Sequence, residues 1–252
     1  MMIRRTFLAL SVLALSVPAA MAQDKMNLKI GSEGAYPPFN QLNSNGELEG
    51  FDIDIAKALC EEMNAECEFV TQDWDGIIPA LQAGKFDAII ASMSITPERQ
   101  EQVSFSAPYY INSLRLAVPS DGNIEDASAE TLAGKTIGVQ QGTVAETYMT
   151  ENMGDVSIKP YPTQEEAYLD LKNGRLDGVV ADFGVQDEFI KQNDGFEVVG
   201  EPLLEDDQIA IAVRKDEQEL ADKFSEAIKA IRENGTYQEI NQKYFGFDIY
   251  GE

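Results

Sequence analysis

The feature that most narrows the possible folds is a twelve-residue pattern written twice. Leu81-Gln-Ala-Gly84-Lys-Phe-Asp87-Ala-Ile-Ile-Ala91-Ser92 returns 90 residues later as Leu171-Lys-Asn-Gly174-Arg-Leu-Asp177-Gly-Val-Val-Ala181-Asp182, with four identities and five conservative pairs. Each copy reads as the end of a helix, a glycine stop, a turn carrying a base and an Asp, and a short apolar strand of the kind covered on both faces. Ile30-Gly31 and Ile137-Gly138 form a weaker echo upstream of each copy. The pattern implies two similar lobes.

The flanking periodicity switches repeatedly between strand and helix. Asn27 to Ser32 reads as a strand, Asp52 to Met63 as a helix, Cys67 to Val70 as a strand and Asp75 to Ala83 as a helix closed by Gly84. In the second half, Thr143 with Glu146 and Thr163 with Glu166 fit the capping box that opens a helix. Gln208 to Val213 reads as a strand, and Leu220, Phe224, Ala227 and Ile231 mark an amphipathic helix that stops at Asn234-Gly235. Strands alternating with helices predict an α/β fold with a parallel-rich sheet in each lobe. The tail after Pro202 is too short for a third domain and is expected to pack on the first lobe. The expected division is 23–111 plus 207–252 for lobe 1 and 112–206 for lobe 2, with hinge strands near 110–113 and 204–208.

Composition then excludes whole classes of function. With 44 acidic side chains, 19 Lys and Arg and a net charge of −25, the surface would repel a phosphate backbone, so no nucleic-acid partner is expected. With no His and two Cys, neither a Cys/His zinc site nor a His-dependent catalytic triad can be assembled, and no metal or cofactor is expected. Arg4 and Arg5 precede an apolar run from Phe7 to Val17, and Ala20-Met-Ala22 places small residues where a signal peptidase reads, so residues 1–22 are expected to be a cleaved leader. The run is too short to cross a bilayer. An exported chain leaves two readings for Cys60 and Cys67, seven positions apart: a short-loop disulfide or two buried thiols.

In open α/β sheets, ligands bind beyond the carboxyl ends of the strands. The repeated strands end at Ser92 and Asp182, which would face each other across a cleft between the lobes. Ser92, Ser94, Thr96 and Arg99 lie together, with Thr96 able to cap a helix whose first residue is Pro97. Arg99 supplies a planar two-toothed donor for a carboxylate, and Asp182 suits an ammonium. The pair makes a clamp for a zwitterion whose binding would drive closure. Glu33, Tyr36, Phe39 and Trp74 could surround a cationic side chain.

Gly31-Ser-Glu33-Gly-Ala-Tyr36-Pro-Pro-Phe39, Gly50-Phe-Asp52-Ile-Asp54, Trp74-Asp-Gly-Ile-Ile-Pro79, Ser94-Ile-Thr96-Pro-Glu-Arg99, Asn234-Gly-Thr-Tyr237 and Lys243-Tyr-Phe245 together strongly resemble the polar amino-acid-binding proteins of bacterial ABC importers. The resemblance covers essentially the whole chain after residue 22 and is nearest to the lysine/arginine/ornithine, histidine and arginine binders. It implies a two-lobed periplasmic binding protein of type II, a Cys60–Cys67 bridge, a monomer in the periplasm, and two partners: a free amino acid and a membrane permease. It further implies an α-carboxylate held by Arg99 with Ser94, an α-ammonium held by Asp182 and Ser92, and a side chain between Tyr36 and Trp74 with its cationic end near Glu33. Gln141, Thr143 and Val144 complete the implied ligand-binding set. Ala91, Gln140, Val144 and Ala145 depart from the residues usual in the lysine/arginine/ornithine and histidine binders, which alters part of the second-lobe contacts. Two alternatives follow from the same resemblance: an arginine-derived opine as ligand, and an enzyme of the cyclohexadienyl dehydratase type with Glu33 as proton donor.

Overall fold

The computed structural model describes residues 25–251, and the leader expected over 1–22 lies outside the described residues. The first half runs β1 (Met26–Ser32), a small antiparallel sheet of β2 (Ala35–Tyr36), β3 (Asn40–Leu42) and β4 (Leu48–Glu49), then α1 (Phe51–Glu62) and β5 (Ala65–Thr71). It continues through α2 (Ile77–Gln82), β6 (Ala88–Ile89), α3 (Pro97–Gln102) and the long β7 (Val103–Pro119). The second half contains α4 (Ala129–Leu132), β8 (Thr136–Gln140), α5 (Val144–Asn152), β9 (Ser157–Tyr161), α6 (Gln164–Lys172), β10 (Gly178–Asp182) and α7 (Phe183–Gln192). The long β11 (Phe196–Arg214) then leads to α8 (Gln218–Glu233) and α9 (Thr236–Tyr244).

The repeated pattern folds the same way twice. Gly84 and Gly174 adopt φ of 73° and 68°, the left-handed helix stop. In both copies the amide after the glycine closes the helix, Lys85 N–H to Ala80 O at 3.0 Å and Arg175 N–H to Asp170 O at 3.0 Å. The two repeated aspartates do the same work. Asp87 Oδ2 accepts the Lys29 N–H at 2.9 Å, and Asp177 Oδ2 accepts the Thr136 N–H at 2.8 Å, so each ties its turn to the first strand of its own half. Each half is then a parallel trio, β5-β1-β6 in one and β9-β8-β10 in the other, and the continuous sheet order is β5-β1-β6-β11-β7-β10-β8-β9.

The two trios are joined through β7 and β11, which pair antiparallel along most of their length. Register shifts between Val199 and Leu204 and between Leu204 and Asp207 interrupt that pairing where the chain passes from one half to the other. Only the inner end of this ribbon is legible from periodicity. Pro108, Gly200 and Pro202 break the alternation, and tertiary pairing carries the strands through them. The helix expected from Asp75 instead begins with a 3₁₀ turn at Trp74–Gly76, followed by α2. Ala221, Phe224, Ala227, Ile228 and Ile231 of α8 are buried in the same core as Phe51, Ile55 and Leu59 of α1. Tyr244 of α9 donates to Asp54 at 2.7 Å and ties the tail to α1.

Cys60 at the end of α1 and Cys67 on β5 form a disulfide with a Cα separation of 6.3 Å, resolving the two readings in favour of the bridge. It fastens the outermost strand of the sheet to the helix that covers it. Replacing both cysteines with Ala is expected to cost about 2–3 kcal/mol through restored freedom of the unfolded chain. Differential scanning calorimetry should then find a midpoint lowered by about 5–10 °C.

Candidate functional site

The strand ends of the two halves meet at a small cavity lined by residues of both. Ser92 ends the first repeat and Asp182 the second, and both line it, as do Glu33, Tyr36, Trp74 and Arg99. Arg99 and Asp182 therefore line one cavity, as a zwitterion clamp requires.

The segment 91–96 turns sharply out of β6. Ser92 sits at φ 51°, a left-handed conformation uncommon for a residue with a Cβ, and buried hydrogen bonds hold it there. Its N–H donates to Tyr109 Oη at 3.3 Å and its hydroxyl donates to Asp52 Oδ2 at 3.0 Å. Asp52 is fully buried at the start of α1 and also accepts from Tyr109 at 2.7 Å and from Asn40 at 2.8 Å. Ser94 follows, its hydroxyl donating to Asp207 Oδ2 at 2.9 Å. Thr96 caps α3 by accepting the Arg99 N–H at 3.2 Å, with Pro97 in the first helical position.

Arg99 reaches from α3 into the cavity. It donates to Ser94 O at 2.9 Å and, from the opposite half, to Gly142 O at 3.0 Å, with its guanidinium carbon 5.2 Å from the Trp74 ring centre. Burial lowers its pKa, opposed by the charges of Asp207 and Asp182. Gly142 can present that carbonyl because it adopts φ 70°, which opens the turn before α5. Thr143 caps α5 by accepting the Glu146 N–H at 3.4 Å, while Glu146 reaches back to the N–H of Gly142 at 2.6 Å, one residue earlier than a standard capping box.

Two further contacts close the cleft. Gln140 Nε2 donates to Glu33 Oε1 at 2.6 Å, and the Asp182 N–H donates to Tyr36 Oη at 3.4 Å. Burial pushes the Glu33 carboxyl up to about 7, against the lowering effect of the Gln140 hydrogen bond. Burial, followed by the nearby charge of Asp207, pushes Asp182 up to about 8. Asp207 is itself raised by burial, with hydrogen bonds from Asn112 and Ser94 and the charge of Arg99 opposing the rise.

The anticipated residues divide clearly. Glu33, Tyr36, Trp74, Ser92, Ser94, Arg99, Thr143, Val144 and Asp182 all line the cavity. Gln141 does not. The last residue of β8, Gln140, is buried and turned to the cleft, whereas Gln141 uses its N–H to extend the pairing to Tyr161 O at 2.9 Å. Strand alternation sends neighbours to opposite faces, so a one-residue difference changes which side chain reaches the ligand space. Phe39 also lies away from the cavity, fully buried in an aromatic core with its ring centre 5.0 Å from that of Tyr110. Trp74 is partly buried between exposed Asp73 and Asp75, in agreement with a surface turn. The hydroxyl proton of Ser94, a residue expected to help Arg99 hold a carboxylate, is directed at Asp207. Asp207 went unsingled in the acidic run Glu205-Asp-Asp207, where nothing local separates it from its neighbours.

Residues 28–247 match the family described as bacterial extracellular solute-binding proteins, family 3. The chain belongs to that family. Over 254 residues, 97% of this solute-binding protein and 96% of the relative, it is 45% identical to the L-arginine-binding protein of Pseudomonas aeruginosa. It is 38% identical to the histidine-binding periplasmic protein of Escherichia coli, covering 94% of each chain. Among solved structures it is similar to an ancestral arginine-binding protein bound to arginine, with a TM-score of 0.83 at 40% identity, covering 88% of this chain and 99% of the other. These matches establish the two-lobed α/β periplasmic-binding-protein fold for this member of the family.

Asp52 is the acceptor on which the Ser92 turn depends. An Asp52→Ala variant leaves three buried donors, Asn40, Tyr109 and Ser92, without it. The expected loss is about 3–5 kcal/mol of folding free energy, read from urea unfolding, with a wild-type midpoint as the contrary result.

Proposed function

We propose that this protein captures a cationic amino acid of the arginine, lysine, ornithine and histidine class, with arginine the first choice, and delivers it to the membrane permease of an ABC importer. The observation that carries this reading is the cavity lined by a guanidinium, Arg99, from the first half, a carboxylate, Asp182, from the second, and another buried carboxylate, Glu33, together with Tyr36 and Trp74. An α-carboxylate pairs with Arg99, an α-ammonium with Asp182, and a cationic side chain lies between the Tyr36 and Trp74 rings with its head toward Glu33. The arginine and histidine relatives support the same ligand class.

Two lobes meeting at this cavity make binding and closure one event. Neither wall satisfies both charges of a zwitterion, so the ligand favours the arrangement that brings the walls together. We take residues 23–111 with 207–252 as one lobe and 112–206 as the other, hinged where β7 and β11 change register. The reading places the protein in the periplasm as a monomer after removal of residues 1–22, acting by binding without turnover and without a cofactor. An arginine-derived opine is disfavoured, because its extra carboxylate would enter a space already faced by Glu33 and Asp182. A dehydratase using Glu33 would release phenylpyruvate from prephenate or phenylalanine from arogenate, and neither product is expected.

Isothermal titration of ligand-stripped protein with arginine, lysine, ornithine and histidine tests the proposal directly, and no binding to any of the four would overturn it. Arg99→Ala and Asp182→Ala are each expected to weaken arginine binding by about a hundredfold or more, because each leaves a ligand charge unpaired in the closed cleft. Near-wild-type affinity in both variants would remove the clamp.

The carboxyl shifts set the sign of the pH dependence. With Glu33 raised to about 7 and Asp182 to about 8, both are largely protonated at pH 6, whereas a cationic ligand favours them ionised. Arginine binding at pH 7 should release protons, measured as a dependence of the titration heat on buffer ionisation enthalpy. Affinity should rise between pH 6 and 8, by at most about tenfold per pH unit for each carboxyl that ionises.

A further inference from the structure

We propose that Asp207, which does not line the cavity, is a positioning residue that fixes the direction of the Ser94 hydroxyl and so makes that side chain an obligate acceptor for a ligand N–H. A serine hydroxyl has one proton and two lone pairs, while an ionised carboxylate can only accept. Ser94 spends its proton on Asp207 Oδ2 at 2.9 Å, which leaves only lone pairs for the cavity that it lines.

The surroundings leave little other freedom. Met93 O and Ile95 N–H pair with Ala210 and Gln208 of β11 at 3.0 and 2.8 Å, so the backbone on both sides of Ser94 is fixed and the hydroxyl torsion is what Asp207 sets. Asp206 adopts φ 57°, beside the register shift between Leu204 and Asp207. Such an irregularity re-aims the following side chain. Asp206 is exposed and Asp207 is buried. The same Oδ2 accepts from Asn112 Nδ2 at 3.0 Å, anchoring the carboxylate to β7 opposite it in the ribbon. Ser92 repeats the arrangement with Asp52, so both hydroxyls on this wall turn their lone pairs outward. Such a wall receives an ammonium and turns away carboxylate oxygens, fixing which end of a zwitterion meets Arg99.

This inference rests on the amino-acid-binding reading, and the experiment separates the two. Arginine and its analogue lacking the α-amino group, 5-guanidinopentanoate, are titrated into wild type, Asp207→Leu, Asp207→Asn and Ser94→Ala proteins and the Ser94→Ala/Asp207→Leu double variant. Wild-type binding of arginine reports on the underlying reading. The ratio of arginine to analogue affinity within each variant reports on Asp207 and cancels any loss of folded protein. Asp207→Leu should lower that ratio by about tenfold. Asp207→Asn should keep it within about threefold of wild type, because its Oδ1 can take the Oδ2 position and accept both bonds without the charge. In the Ser94→Ala background Asp207→Leu should change the ratio no further. An equal loss in Asp207→Asn and Asp207→Leu, a loss that persists without the Ser94 hydroxyl, or an unchanged ratio in Asp207→Leu would each overturn the proposal.

Discussion

The cleft withdraws three carboxyl groups from water around the Arg99 guanidinium. Glu33 and Asp182 line it and Asp207 lies behind its wall, with Arg99 the cation among them. Withdrawal from water raises all three acids. Desolvation opposes ionisation at each, and at Asp182 the charge of Asp207 adds to it. A ligand carrying an ammonium and a cationic side chain supplies positive charge at both ends, so binding favours the ionised carboxylates that burial opposes. The strongly acidic surface adds a second effect, since a negative field speeds the encounter with cations at low ionic strength.

The scaffold places those charges by using one unit twice. In each half a glycine-stopped helix feeds a buried strand, and an aspartate in the connecting turn caps the first strand of the same half, Asp87 to Lys29 and Asp177 to Thr136. The strands therefore end at equivalent points, and what differs is the residue at the end, Ser92 in one half and Asp182 in the other. The antiparallel ribbon of β7 and β11 joins the halves, and its irregular stretch lies beside the cleft, where it delivers Asp207 and Asn112. The irregular stretch thus supports the wall of the site from behind, through Asp207 and Ser94.

Polar direction matters here as much as charge. Asp52 and Asp207 are buried carboxylates that take protons from cavity-lining hydroxyls, and Asp52 also holds Ser92 in its left-handed backbone conformation. Buried polar groups seldom go unpaired, because the cost of an unmade hydrogen bond exceeds the modest gain of a made one. Once the acceptors are ionised, the orientation of the hydroxyls follows.

Much of this was legible in the residues. The duplicated pattern announced two lobes, the strand ends announced Ser92 and Asp182, and Thr96-Pro97 announced the helix that carries Arg99. These features are local, since periodicity, glycine stops and caps act within a few residues. The choice of Gln140 over Gln141 was not legible, because it depends on which face of β8 meets the cleft. Nor was the removal of Phe39 to the aromatic core, where Tyr110, Phe183 and Phe245 surround it. Asp207 was hidden among like charges until β11 paired with β7. The sequence by itself determined the repeated units, their order and the chemistry at their ends. Tertiary structure alone decided which side chains face one another, because contacts between residues a hundred positions apart depend on strand register and packing, which no short stretch of chain encodes.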